Sequence, residues 1–211
     1  MNRRPALLTV LTLTVALSLT ACGSDDSDAP AEGSGEASEV QTPSPSASAT
    51  SGRPVVELPS DVTYVFDWGS TDDPVKDAVL NDAEQRIKAV DMAIAEQDPL
   101  HEAYRFYFEG TAAAGSQRYI QEFVDHKART TGVTRFYDAS VTVHEDGTAA
   151  LVYCEDQSKA FNKFLETGKT DVTSVTKDSY VVYASTLRKN ATGVWVTERL
   201  TSQRGSDRCR P

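Results

Sequence analysis

Bases are scarce in this chain. It has 21 Lys and Arg against 31 Asp and Glu, a formal net charge of −10. That deficit argues against nucleic acid or an anionic lipid surface as a main partner, because both need a basic footprint. Cysteine is scarcer still, with three residues and no Cys-x-x-Cys pair, which excludes a disulfide-dense scaffold and a thiol redox enzyme. The three histidines, His101, His126 and His144, are never joined by a second histidine or cysteine at ligand spacing. They therefore supply no metal site and no histidine catalyst, and read as surface residues. There is no phosphate-binding glycine loop, no Gly-x-Ser-x-Gly elbow and no nucleotide motif. No cofactor is implied and no catalytic residue is assigned by motif. After residue 21, no apolar run is long enough to cross a bilayer.

The N-terminus is the informative segment. Arg3 and Arg4 precede an apolar run from Ala6 to Leu19, too short for a comfortable membrane span and proportioned like the core of an export signal. Leu19-Thr20-Ala21-Cys22 resembles the bacterial lipobox. The resemblance implies lipidation of the Cys22 thiol and cleavage before it, so residues 1–21 are a lipoprotein signal peptide. Two acyl chains, at about 0.8 kcal/mol per buried methylene, anchor firmly. The expected location is the outer face of the bacterial cytoplasmic membrane, with the membrane itself as a partner through the lipid. Residues 22–53 hold the lipidated cysteine and a stretch of Gly, Ser, Ala, Pro, Thr and acid. That composition buries too little apolar surface to offset ordering entropy, and predicts a disordered tether. As a flexible coil it reaches roughly 30 Å.

Residues 54–211 are long enough for a single domain with its own core. With Cys22 lipidated, Cys154 and Cys209 remain as an even pair in an oxidising setting. One disulfide would tie the tail to a core strand, worth about 4 kcal/mol by loop entropy; two free thiols are the alternative.

Asp73-Pro74 is a helix start. Val75, Val79, Ala83, Ile87, Val90 and Ile94 then mark one apolar face of a helix reaching about Gln97. Asp98-Pro99 opens a shorter helix that stops at Gly110. A third helix is predicted from about Ala112 to Arg129, with Phe123 facing inward and Gly132 ending it. The period then changes to two. A strand is predicted at Tyr137–His144, an Asp146-Gly147 hairpin turn, and a returning central strand at Ala149–Glu155. A polar insertion follows from Asp156 to about Val175. Further strands are predicted near 176–188 and 194–202.

This order gives an α+β class, with N-terminal helices packed on a curved antiparallel sheet. Over roughly residues 74–203 the element order and lengths resemble the cystatin-like cone of the nuclear transport factor 2-like superfamily. The resemblance implies a long helix across a curved sheet with a pocket between them, on a fold that hosts isomerases, cyclases, dehydratases and non-catalytic modules. The segments Tyr153-Cys154-Glu155-Asp156-Gln157-Ser158-Lys159-Ala160 and Leu200-Thr201-Ser202-Gln203-Arg204-Gly205 resemble uncharacterised secreted lipoproteins of actinobacteria such as Streptomyces, which implies location and fold but no catalytic residues.

The candidate pocket residues are Tyr104, Tyr107, Phe123, Asp156 and Trp195. Asp156 follows a central strand and could act as a general base, or merely open a polar loop. Tyr104, Phe106, Tyr107 and Phe108 are too closely spaced for all four to face one core, so they form a pocket wall or core packing with one exposed ring. Trp195 reads as a packing residue in the last strand. Three classes of function fit, one of them a purely structural envelope protein. The leading one is a non-enzymatic, lipid-anchored envelope module that binds an envelope protein or a small apolar ligand. The alternative is an isomerase- or cyclase-like enzyme using Asp156 and a tyrosine.

Overall fold

The computed structural model describes residues 52–210. The signal, Cys22 and nearly all of the tether lie outside the described residues. The elements run β1 Val62–Asp67, α1 Pro74–Ala95, α2 Glu102–Arg105, α3 Gly110–Asp125, β2 Ala128–Val143, β3 Thr148–Phe164, β4 Thr170–Asp171, β5 Tyr180–Lys189 and β6 Trp195–Arg204. The sheet order is β1-β2-β3-β5-β6, with β4 paired to β3. The α+β class expected from the sequence is the observed one, with the helices on one face of a curved sheet. The sheet is mixed rather than purely antiparallel, because β1 runs parallel to β2.

Helix α1 begins as the sequence dictates. The Asp73 carboxylate accepts from the Val75 and Lys76 backbone N–H groups at 2.9 and 3.3 Å, and Pro74 fills the first helical position, where no N–H is required. It ends without glycine. Gln97 sits in the left-handed region at φ 57°. Its side-chain amide donates to the carbonyls of Ile94 at 2.7 Å and Ala128 at 3.0 Å, and these bonds help offset the backbone cost.

Three expectations are corrected. Helix α3 stops at Asp125, not Arg129, because Ala128–Val133 pairs with residues 159–164 of β3. Gly132 is therefore a strand residue, at φ 95°. Its α-carbon packs against the Lys159 backbone with no room for a β-carbon, the close approach that only glycine allows. Finally, half of the expected polar insertion is strand, since β3 continues to Phe164 and folds back through β4.

Strand β2 is bent by register shifts between Val133 and Arg135 and between Tyr137 and Ser140. Such irregularities bend and twist a strand locally, and here they curl the sheet around the helices. At the foot of β1, Asp61 pairs with Arg129 and Lys163, both at 2.8 Å. These two cations hold its carboxyl well below the usual carboxylate range and tie β1 to β2 and β3.

Two buried clusters hold the layers together. One packs the C-terminal half of α1 and helices α2 and α3 against Val194 and Val196. The other packs Val79, Leu80 and Ala83 of α1 onto Phe136, Leu151 and Leu187 of the sheet. The opposite face of β3 receives the tail. Cys154 and Cys209 form a disulfide with a Cα–Cα distance of 5.4 Å, and the Tyr137 hydroxyl donates to the Cys209 carbonyl.

Candidate functional site

A cavity of about 320 Å³ opens between α1, α3 and the sheet, at the small end of the range for small-molecule sites, about 300–1,000 Å³. Its floor follows from strand pairing. Phe136, Glu155, Val181 and Arg204 are successive cross-strand partners on β2, β3, β5 and β6, and all four line the cavity. The next row contributes Tyr153, Tyr183 and Ser202. The roof comes from α1 and α3. Arg86, Ile87, Val90 and Asp91 share one face of α1 and line the same cavity with Ser116 and Tyr119 of α3. A second cavity of about 500 Å³ shares Asp91, Tyr119, Glu155 and Arg204 with the first, and is otherwise walled largely by residues 157–179.

Glu155 is 9% exposed, and no ion pair among the described residues includes it. Burial pushes its carboxyl up from the ordinary glutamate range, and the nearby Asp91 carboxylate adds to the shift. Gln157, Tyr183 and Arg204 act in the other direction. Arg204 Nη1 donates to Gln157 Oε1 at 2.6 Å, which turns the Gln157 amide N–H groups toward Glu155. Asp91 is also pushed up by burial, and is tempered by the Tyr64 and Thr130 hydroxyls. Both of its oxygens are occupied: one accepts from Tyr64, the other from Thr130 at 2.7 Å. Asp91 is thus a fixed carboxyl and Glu155 the freer one. Burial raises the Tyr119, Tyr153 and Tyr183 hydroxyls, so they stay protonated and can donate. The Tyr119 residue itself is 46% exposed, and the Asp91 and Glu155 carboxylates add to the rise of its hydroxyl. The set therefore offers one buried, cavity-facing carboxyl with raised proton affinity, a second carboxyl in the same wall, and several neutral hydroxyl donors. That is a proton-transfer constellation beside a partly apolar hollow.

Of the residues expected at the pocket, only Phe123 lines either cavity, the second one, with its ring edge-on to Tyr119 at 5.2 Å. Tyr104 is a core residue whose hydroxyl donates to the Pro99 carbonyl at 2.7 Å. Tyr107 is sealed beside the pair formed by Arg53 and Asp82. Trp195 is buried at the start of β6, where its backbone N–H donates to Asp82 at 2.8 Å. From the aromatic quartet, Phe108 is the ring that reaches the first cavity. Asp156 lies on the opposite face of β3 with Cys154, and its carboxylate accepts from the Ser158 N–H at 2.8 Å. The carboxyl at the pocket is its neighbour, because adjacent strand residues face opposite ways. His101 is no bare surface group either. Its Nδ1 accepts from the Ala103 N–H at 3.1 Å, capping α2, and its Nε2 lies 2.9 Å from Glu96.

Sequence reasoning missed Glu155, Asp91 and Arg86. Two signals pointed to them. Arg86 and Asp91 fall within the apolar face of α1, three residues beyond Ala83 and four beyond Ile87. Glu155 has the parity of Leu151 and Tyr153, whereas Asp156 has that of Cys154, the residue expected to hold the tail.

No protein family matches the sequence, and no curated protein matches it either. Solved structures do align with it. Aln2 from a Streptomyces species is 12% identical and covers 65% of this chain and 94% of its own, with a TM-score of 0.44. ActVI-ORFA from Streptomyces coelicolor is 11% identical over 63% of this chain and 98% of its own, at 0.42. The intermembrane space region of the chloroplast protein ARC6 is 15% identical over 61% and 95%, at 0.40. At these levels the likeness carries no chemistry to this chain.

Proposed function

We propose that this chain is a lipid-anchored extracytoplasmic protein whose folded domain binds a small organic molecule between helix and sheet and moves a proton on it through Glu155. Of the classes expected from the sequence, the site supports the isomerase- or cyclase-like enzyme over the non-enzymatic module, with Glu155 in the place expected for Asp156. One observation carries the reading: a buried carboxyl without an ion-pair partner faces a cavity of ligand size. Structural carboxylates in cores are paired or have their oxygens taken, as those of Asp82 are by Arg53 and those of Asp91 by the Tyr64 and Thr130 hydroxyls. Glu155 keeps a raised proton affinity because it is buried, which suits a group that takes and returns a proton. Tyr119 and Tyr183 supply neutral donors for negative charge developing on a ligand oxygen.

The test is α-proton exchange in deuterated buffer across a panel of small cyclic ketones, followed by NMR. Wild type should exchange at least one member. Glu155→Gln should lose about 10²–10⁴-fold in rate, and Asp156→Asn should keep the wild-type rate. A Glu155→Gln rate equal to wild type, or no exchange anywhere in the panel, contradicts the reading.

The anchor is supported by the lipobox-like segment alone. The Cys154–Cys209 disulfide suits an oxidising compartment. Labelled fatty acid should enter the wild-type chain and not Cys22→Ser; equal labelling would rule the anchor out.

A further inference from the structure

Arg86 is a deeply buried cation with no ion-pair partner among the described residues. It is 2% exposed, in the middle of α1, and it lines the first cavity. A guanidinium buried this deeply ordinarily has a carboxylate against it, because an unpaired buried charge is costly. The obvious partner would be Asp82, one helical turn back. Asp82 is already used, accepting from Arg53 on one side and from the Trp195 N–H on the other. No ion pair among the described residues includes Arg86. Its one hydrogen bond runs from Nη2 to the Tyr153 hydroxyl at 3.2 Å, and its Nε–H is buried with no acceptor. The Phe108 ring lies 5.4 Å from the guanidinium carbon, covering one face and leaving the in-plane donors unanswered.

We infer that Arg86 is the anchor for a carboxylate on the cavity's ligand. The inference rests on the reading of this cavity as a small-molecule site, and names the class of molecule it takes. A planar guanidinium with unused in-plane donors fits a planar carboxylate. A phosphate dianion fits poorly, since one arginine in a wall that also holds Asp91 and Glu155 leaves a second negative charge uncompensated. The remaining cation of the wall, Arg204, is committed to Gln157 and the Asp178 carbonyl at 2.6 and 2.8 Å. The body of the ligand would rest on Ile87, Val90, Val181 and Leu200. Tyr153, which shares the Arg86 bond, lies two residues from Glu155 on β3, a rise of about 7 Å. A carboxylate held at Arg86 therefore presents to Glu155 a carbon a few bonds away, and the ligand is a small apolar or aromatic acid.

The test measures binding rather than turnover, using the folded domain and three probe acids, benzoate, cinnamate and 2-naphthoate, each against its own amide. Wild type should bind at least one acid about 10- to 100-fold more tightly than the amide, the range for a charge-assisted hydrogen bond. Arg86→Met should abolish that preference while leaving amide binding in place, and Arg86→Lys should restore only part of it. Removing an uncompensated buried charge should leave the melting temperature unchanged or raised, so lost binding is not lost folding. If every acid binds no better than its amide, or the preference survives in Arg86→Met, the anchor is wrong. Carboxylate preference without proton exchange would leave the anchor standing and remove the catalysis; exchange without carboxylate preference would do the reverse.

Discussion

At the scale of the residue, function turns on which of two adjacent acids meets the cavity. Glu155 and Asp156 differ by one step along β3, and that step puts one against the helices and the other beside the disulfide. The consequence for stability has a definite sign. Burial, then Asp91, raises the Glu155 carboxyl in the fold, so the folded chain holds that proton more tightly than the unfolded chain does. Its favourable contribution is fully present below the unfolded pKa of about 4.3 and is lost as pH rises through the raised folded value. Glu155→Gln removes the desolvated charge and should melt higher than wild type at pH 7–8, by about 2–4 °C per kcal/mol of relief. The gap should close toward pH 4, as scanning calorimetry across that range would register. A variant that melts lower than wild type at neutral pH would mean the carboxylate is stabilised by its surroundings.

At the scale of the element, much of the fold was legible. The Asp73-Pro74 start, the α1 stripe, the Asp146-Gly147 turn and the strands after it all rest on local chemistry, and local chemistry is written in the sequence. The errors came where pairing at long range overrode local signals. Gly132 has the look of a helix stop; its actual task is to let β2 approach Lys159. Residues 156–164 look like a polar loop because one side of that strand faces a cavity and the other faces solvent. The strand β1 went unread although Val62-Thr63-Tyr64-Val65-Phe66 is a β-branched and aromatic run; what only long-range pairing sets is its parallel register with β2. The site was less legible than the fold. The element order implied a pocket between helix and sheet, but choosing its lining required the register of β3 and the rotation of α1. Of the five named positions, Phe123 alone faces a cavity. The disulfide was readable because parity and compartment both pointed to it.

At the scale of the whole molecule, three features serve one arrangement. The disulfide closes a separation of 55 residues, worth about 4 kcal/mol by loop entropy. It docks the tail on the face of the sheet away from the helices, leaving the helix-facing side free for the cavity. The curl of β2 makes room between sheet and helices, and Arg86, whose buried Nε–H has no acceptor, lines that room. The proposed anchor and tether would hold this domain near, but not against, a membrane. The catalysis proposed for the domain depends on Glu155 being a cavity-facing carboxyl with raised proton affinity. The most direct measurement is a carbon-13 NMR titration of the side-chain carboxyls, with the Glu155 resonance assigned by its absence in Glu155→Gln. The expected midpoint lies clearly above the ordinary glutamate range. A Glu155 midpoint at or below about 4.3 would contradict it.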